Sequence, residues 1–215
     1  MDAVNKMQEW IELKDSMLLF MGVSLVIPLY WNSLSRFEYY TKRVSGFFGS
    51  NVTGCYFLAG TGMSIIHADH PPPVFNFSLL RNYLYELAVA DQVQAIPELM
   101  PLSLLSWPLF IAGSVLVLSS MYKLGITGTY NGDYFGIFMK ERVTSFPFSV
   151  TGNPMYTGST MIFFSYACYK ASFAAYVMSA WVLAVYQIGL LFEEPFTAYI
   201  YSSKAAQEKE KLKTK

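Results

Sequence analysis

The stretch FAAYVMSAWVLAVYQIGLLFEEP, residues 173–195, decides the fold. Its first 20 residues, Phe173–Phe192, carry no charge. About 20 apolar residues are what a helix needs to cross the ~30 Å hydrocarbon core of a bilayer. Glu193-Glu194-Pro195 then ends the run abruptly. Working outward, four more uncharged stretches appear: 20 residues between Asp15 and Arg36, 25 between Arg43 and Asp69, 24 between Glu98 and Lys123, and 27 between Arg142 and Lys170. The expected fold is all-α: a polytopic membrane helical bundle of about four spanning helices, with an N-terminal helix that either crosses or re-enters.

Composition agrees. Hydrophobic residues make up 53% of the 215, aromatics 17% and charged residues only 14%, where soluble domains carry about 25% charged residues. Fifteen Lys and Arg balance 15 Asp and Glu, so there is no net field to attract phosphate backbones and no nucleic-acid partner is expected. Two cysteines exclude a disulfide scaffold. Cys55 and Cys168 fall in separate apolar runs and read as buried thiols. His67 and His70 flank Asp69, too small a set for a metal centre, and no metal is expected.

The runs differ in character. Ser16–Trp31 contains Pro28 and ends at the interfacial pair Tyr30-Trp31. Cys55–Ile66 is the apolar heart of the second run, which Pro71-Pro72-Pro73 terminates. Leu102–Met121 reads as a span. In the fourth run Thr144–Pro154 reads as a loop, and the helix starts near Met155 and ends near Tyr169. Lys170 then marks a tight antiparallel turn into Phe173–Phe192. A short amphipathic helix is expected near Leu79–Val93. The chain reads as one integral-membrane domain, 1–215. Residues 1–15 form an interfacial segment in which Met7, Trp10 and Ile11 suggest a short surface helix, and 202–215 form a charged tail. Five Lys against two Glu in that tail place the C-terminus in the cytosol.

Three polar clusters sit at the ends of spans. Glu193-Glu194 is costly at bilayer depth, roughly 2.5–3.5 kcal/mol per charged residue on insertion scales. The pair is either a set of boundary charges or an acidic site for a cation, with Pro195 expected to break the helix beside it. Lys123–Arg142 carries Gly125, Gly128, Gly132 and Gly136 around Tyr130, Asn131, Asp133 and Tyr134. It follows a membrane helix rather than a strand and is not G-x-G-x-x-G, so it reads as a glycine-rich interfacial loop and not as a Rossmann site. Asn153-Pro154-Met155-Tyr156 opens a helix, with Asn153 as N-cap and Pro154 at the first helical position. Carboxylates and aromatic rings together suit a cationic ligand such as a sulfonium or quaternary ammonium.

At these residues the sequence resembles the phospholipid N-methyltransferases, most nearly the fungal-type phosphatidyl-N-methylethanolamine group. The carrying segments are Pro28–Asn32, Val115–Tyr130, Gly132–Ile137, Glu141–Thr144, Phe146–Phe148, Asn153–Tyr156, Gly158–Thr160 and Glu193–Ala198. The resemblance implies S-adenosylmethionine as methyl donor, a phospholipid amine as acceptor, phosphatidylcholine as product and an endoplasmic reticulum membrane location. It assigns the donor to Ile111-Ala112-Gly113, where only the second glycine of a Gly-x-Gly element stands, and to Glu193 and Glu194. One glutamate would hold the donor and the other take a proton from the acceptor. Asp133, Tyr134, Asn153 and Tyr156 are the candidate acceptor-binding residues, and Tyr130 and Tyr134 could face the growing ammonium. Two rival readings stand beside this one: methylation of another lipidic acceptor, such as a prenylated cysteine carboxylate, and a non-catalytic membrane scaffold or small transporter.

Overall fold

A computed structural model of the chain describes residues 9–62, 77–140 and 143–213. His67, His70, Pro71-Pro72-Pro73 and most of the N-terminal interfacial segment lie outside the described residues. Helix α1 is Asp15–Thr41, α2 Arg43–Phe48, α3 Asn51–Gly62, α4 Phe77–Ala90, α5 Ser106–Thr129, α6 Pro154–Lys170 and α7 Phe173–Lys213. Short 3₁₀ turns occupy Met100–Leu105 and Gly132–Phe135. No strand occurs among the described residues.

Three stretches are long and apolar enough to cross a membrane: α1, the Met100–Phe135 stretch holding α5, and α7. Helix α6 has 17 residues, about 25 Å at 1.5 Å per residue, and packs between α5 and α7. The N-terminal run is one continuous helix of 27 residues, passing through Pro28 without reversing. Its outward residues Leu19, Val26 and Leu29 are exposed, as are Leu104, Trp107 and Leu118 on the α5 side and Leu191 on α7. Apolar surface of this extent on spanning helices is a lipid-facing surface.

Helices α6 and α7 form the expected hairpin, joined by Ala171-Ser172 with Ala171 in the left-handed conformation at φ 44°. The amphipathic helix expected near 79–93 is α4. Residues 11–14 are not helical. Glu12 instead exchanges backbone hydrogen bonds with the side chain of Gln92 at 2.9 and 2.7 Å, which straps this segment to the end of α4.

One core cluster lies where α1, α4, α6 and α7 meet, built on Phe20, Tyr85, Phe163, Met178 and Val182. Tyr85 is buried there, and its hydroxyl lies 2.9 Å from Ser179 Oγ and 3.2 Å from the Phe163 and Ala175 carbonyls. A second cluster joins α3, the Gly132–Phe135 turn and α7 through Cys55, Leu58, Tyr134, Phe135 and Ile200. Cys55 and Cys168 are free and buried.

Helices α1 and α7 run parallel. Trp181 donates to the Met21 carbonyl at 3.1 Å, Gly189 faces Pro28, Asn32 bonds Glu193, and Tyr39 packs on Phe196 and Tyr199. This register brings the ends of both apolar runs to one level. Beyond it, α1 turns sharply at Lys42 (φ 54°). The buried Glu38 carboxylate accepts from Val44 N at 2.8 Å, from Ser45 N at 3.3 Å and from the Ser45 hydroxyl. A carboxylate at a helix N-terminus satisfies amides with no intrahelical partner, so Glu38 fixes the corner.

Two expectations for boundaries change. Helix α5 continues past Lys123 to Thr129, interrupted at Gly125 (φ 63°, ψ −177°), a backbone region essentially reserved for glycine. The glycine-rich stretch is therefore a bent helix end plus a 3₁₀ turn, not an open loop. Helix α7 does not break at Pro195 but continues to Lys213. A proline inside a helix removes one donor and crowds the carbonyl four residues back. In the loosened turn, Arg36 donates to the Phe192 carbonyl at 2.8 Å.

Candidate active site

Consecutive residues on a helix point about 100° apart, so Glu193 and Glu194 face different neighbours. Glu193 is half-buried and turns towards α1 and α6. Its Oε1 accepts from Asn32 Nδ2 at 3.0 Å, and its Oε2 accepts from the Tyr156 hydroxyl at 2.7 Å. Glu194 is exposed and its Oε1 accepts from Asn153 Nδ2 at 2.9 Å. The two polar clusters at 153–156 and 193–194 thus form one site, completed by Asn32.

Asn153 holds the N-cap position, and its carbonyl accepts from Thr157 N at 3.0 Å. Its side chain makes no cap hydrogen bond. The expected side-chain cap is absent because that amide is committed to Glu194. Pro154 occupies the first turn as expected.

Both hydrogen bonds to Glu193 come from neutral groups, and no cationic side chain lies within 4 Å of it among the described residues. A carboxylate beside apolar surface, held by neutral donors, retains the capacity to attract a cation. Behind it stands an aromatic column. The Tyr156 and Tyr186 rings are 4.7 Å apart. Arg81 of α4 donates to the Tyr186 hydroxyl and lies 5.0 Å over the Phe163 ring. Tyr156 is therefore braced by Tyr186, which lies two turns before Glu193 on the same face of α7.

Asp133 and Tyr134 sit further along the bundle. Tyr134 is 1% exposed, and its ring packs on Phe196 at 5.2 Å. Tyr130 packs on Trp31 at 5.8 Å. Asp133 accepts from Tyr134 N at 3.1 Å and lines a cleft of about 340 Å³ with Tyr39, Tyr40, Lys42 and Lys204. The Ile111-Ala112-Gly113 stretch lies on α5. Ile111 is exposed, while a Cβ on Gly113 would come within 2.6 Å of the Gly158 carbonyl. Gly158 and Tyr156 point to opposite sides of α6, about 200° apart. Gly113 and Glu193 therefore contact opposite faces of that helix, and close helix packing alone accounts for a glycine at 113.

A family model described as phospholipid methyltransferase matches residues 102–204. The chain is 41% identical over 210 residues to the phosphatidyl-N-methylethanolamine N-methyltransferase of Emericella nidulans, covering 97% of this chain and 96% of that one. The chain belongs to the phospholipid methyltransferase family. This methyltransferase is also 44% identical over 187 residues to the Saccharomyces cerevisiae phosphatidyl-N-methylethanolamine N-methyltransferase, covering 85% and 83% of the two chains. It is 39% identical over 180 residues to the Homo sapiens phosphatidylethanolamine N-methyltransferase, covering 83% and 84%. No solved structure matches it. Family membership makes the chain an enzyme and implies S-adenosylmethionine as its methyl donor.

Reasoning from the sequence did not pick out Asn32, Arg36, Arg81 or Tyr186 as site residues. A usable signal existed for the first pair: polar residues four apart, immediately after an apolar run and its Tyr30-Trp31 end, share one helix face. Arg81 and Tyr186 reach the site only through tertiary packing.

Proposed function

We propose that this methyltransferase converts phosphatidyl-N-methylethanolamine and phosphatidyl-N,N-dimethylethanolamine to phosphatidylcholine, at a site formed by α1, α6 and α7. The observation that carries this is Glu193, held by Asn32 and Tyr156 at the end of two apolar runs, in a chain of this family. The same placement suits an endoplasmic reticulum membrane enzyme whose lysine-rich C-terminal end lies in the cytosol.

The donor, when bound, supplies a methyl group on a positively charged sulfur. The chain's own residues supply the charge and proton handling. The attacking nitrogen must carry a lone pair, whereas a free alkylamine is mostly protonated at neutral pH, as lysine is with its pKa of about 10.4. Glu193 takes that proton; its carboxylate oxygens keep acceptor capacity beyond the two bonds they already make. Two successive methylations each release one proton from nitrogen. The trimethylated product has none left to give and stays cationic. Tyr156 holds Oε2 in place, and Asn32 holds Oε1. Glu194 and Asn153, at the exposed side of the same turn, fit the ammonium and hydroxyl groups of the donor. Alignment of the two reactants supplies most of the remaining rate.

The test uses purified chain in mixed micelles with methyl-labelled S-adenosylmethionine and phosphatidyl-N-methylethanolamine. Label in dimethyl and choline phospholipids is the expected result, and phosphatidylethanolamine as acceptor then shows whether the first methylation is included. Label only in a prenylated cysteine carboxylate moves the acceptor to that class. Folded protein without saturable donor binding overturns the enzymatic reading.

A further inference from the structure

A groove of about 220 Å³ runs between α1 and α7. Its walls are Leu25, Pro28, Leu29, Val185, Ile188 and Phe192, with Asn32 and Arg36 at one end. Leu29, Ile188 and Phe192 are also open to the outside of the bundle, so the groove faces the lipid. Along α1 the order runs from apolar to polar: Leu25 and Leu29, then Asn32, then Arg36.

Among the described residues Arg36 makes no direct ion pair, and the nearby Glu193 carboxylate acts on it only from beyond contact distance. No carboxylate lies within 4 Å of it among the described residues. One guanidinium nitrogen donates to the Phe192 carbonyl and the group sits 4.6 Å over the Phe196 ring, while its Nε is buried without a hydrogen-bond partner. A guanidinium is a permanent cation. Held beside an apolar groove, it is costly until an anion neutralises it. One helical turn away, Asn32 Oδ1 is also buried without a partner, beside the Glu193 carboxylate. Residues four apart on a helix have Cβ atoms roughly 5–6 Å apart. At the groove end a buried donor on a cation and, one turn away, a buried acceptor beside an anion are therefore left unused.

We propose that Arg36 binds the phosphate of the lipid acceptor, with an acyl chain lying in the α1–α7 groove and the headgroup amine directed at Asn32 Oδ1 and Glu193. A phosphate and an amine joined by a two-carbon tether carry the complementary charges in that spacing. The assignment rests on the proposed function for the amine's fate, and it adds the specificity element: acceptors without a phosphodiester forgo the Arg36 contact. It makes Arg36 a substrate-binding residue and Asn32 both a support for Glu193 and a direct amine contact.

The experiment pairs kinetics with binding. Wild type, Arg36→Gln and Arg36→Lys are assayed with phosphatidyl-N-methylethanolamine and with a diacyl N-methylamine of the same chains that lacks phosphate. Hydrogen bonds to charged groups contribute about 1.5–3 kcal/mol, so Arg36→Gln raises the lipid KM about ten- to a hundredfold. The donor KM and the rate at saturating lipid stay near wild type. On the phosphate-free acceptor the loss is much smaller, confined to the support Arg36 gives the turn at the Phe192 carbonyl. Arg36→Lys falls between, since it keeps the charge and loses the fork. An unchanged lipid KM in Arg36→Gln overturns the proposal, as does an equal loss on both acceptors, which marks a purely structural arginine. Retention of radiolabelled phosphatidyl-N-methylethanolamine without donor separates the two levels. Arg36-dependent retention without methyl transfer keeps the phosphate site and removes the enzymatic reading. Retention indifferent to Arg36 removes the site.

Discussion

The hydroxyl of Tyr156 donates to Glu193 Oε2 at 2.7 Å, joining the first turn of α6 to the end of the apolar part of α7. Tyr156→Phe removes this donor and leaves the ring stack on Tyr186 intact. Orientation, not charge, is lost. The expected result is a fall in kcat of about tenfold or less, near the 0.5–1.5 kcal/mol typical of one hydrogen bond, with the donor KM unchanged. Steady-state kinetics with both substrates varied checks it.

Glu194 and Asn153 form the more exposed pair of the site. Glu194→Gln is expected to weaken the donor by about tenfold, the 1.4 kcal/mol expected of one charge-assisted contact, and to leave the lipid KM near wild type. Isothermal titration of S-adenosylhomocysteine, the demethylated donor, into wild type and variant reads the difference. An equal effect on lipid and donor counts against the division of roles between the two glutamates.

Gly113 and Gly158 meet backbone to backbone, so that a Cβ on Gly158 would fall 2.5 Å from the Gly113 carbonyl. Gly158→Ala therefore forces α5 and α6 apart. Overpacking of this kind costs about 1–3 kcal/mol, and each kcal/mol moves the unfolding midpoint by roughly 2–4 °C in a chain of this size. Thermal unfolding in detergent, followed by tryptophan fluorescence, is the measurement. Gly113→Ala is expected to destabilise similarly, and a variant that loses donor affinity at unchanged stability shows instead that Gly113 contacts the donor.

Arg81 reaches Glu193 only through Tyr186 and Tyr156. Arg81→Met frees the Tyr186 hydroxyl and loosens the stack, a contact of about 0.5–1.5 kcal/mol. A severalfold drop in kcat is expected, with both KM values preserved. Arg81→Lys recovers part of the loss. A change confined to KM contradicts a bracing role.

Much of this was legible in the sequence, for physical reasons. Uncharged runs of membrane length identify α1, α5 and α7, because a bilayer imposes a length that composition alone reveals. Pro154 and Lys170 bound α6 within one residue of expectation, since proline and a lone charge are strong punctuation there. The clusters at 153–156 and 193–194 are each legible as polar span ends, but their pairing through two hydrogen bonds arises only in the fold. Pro195 misled: its local rule favours a break, yet neighbouring helices and Arg36 support the chain through it. Gly113 carried two meanings, ligand approach and helix packing, that no one-dimensional pattern separates. Asn32 and Arg36 were hidden because their roles arise from the parallel register of α1 on α7, a contact spanning about 160 residues of sequence.

The most direct test compares single-turnover methyl transfer to phosphatidyl-N-methylethanolamine in wild type and Glu193→Gln, with donor and lipid occupancy confirmed beforehand. Glutamine keeps the size of the side chain and one of its two acceptor oxygens but cannot accept the amine's proton as a carboxylate does. Positioned general acid–base groups contribute about 10²–10⁴-fold, so a loss of at least about a hundredfold is expected at full occupancy, partly recovered as pH rises and the amine deprotonates unaided. Equal rates in the two proteins across that pH range contradict Glu193 as the group that prepares the acceptor.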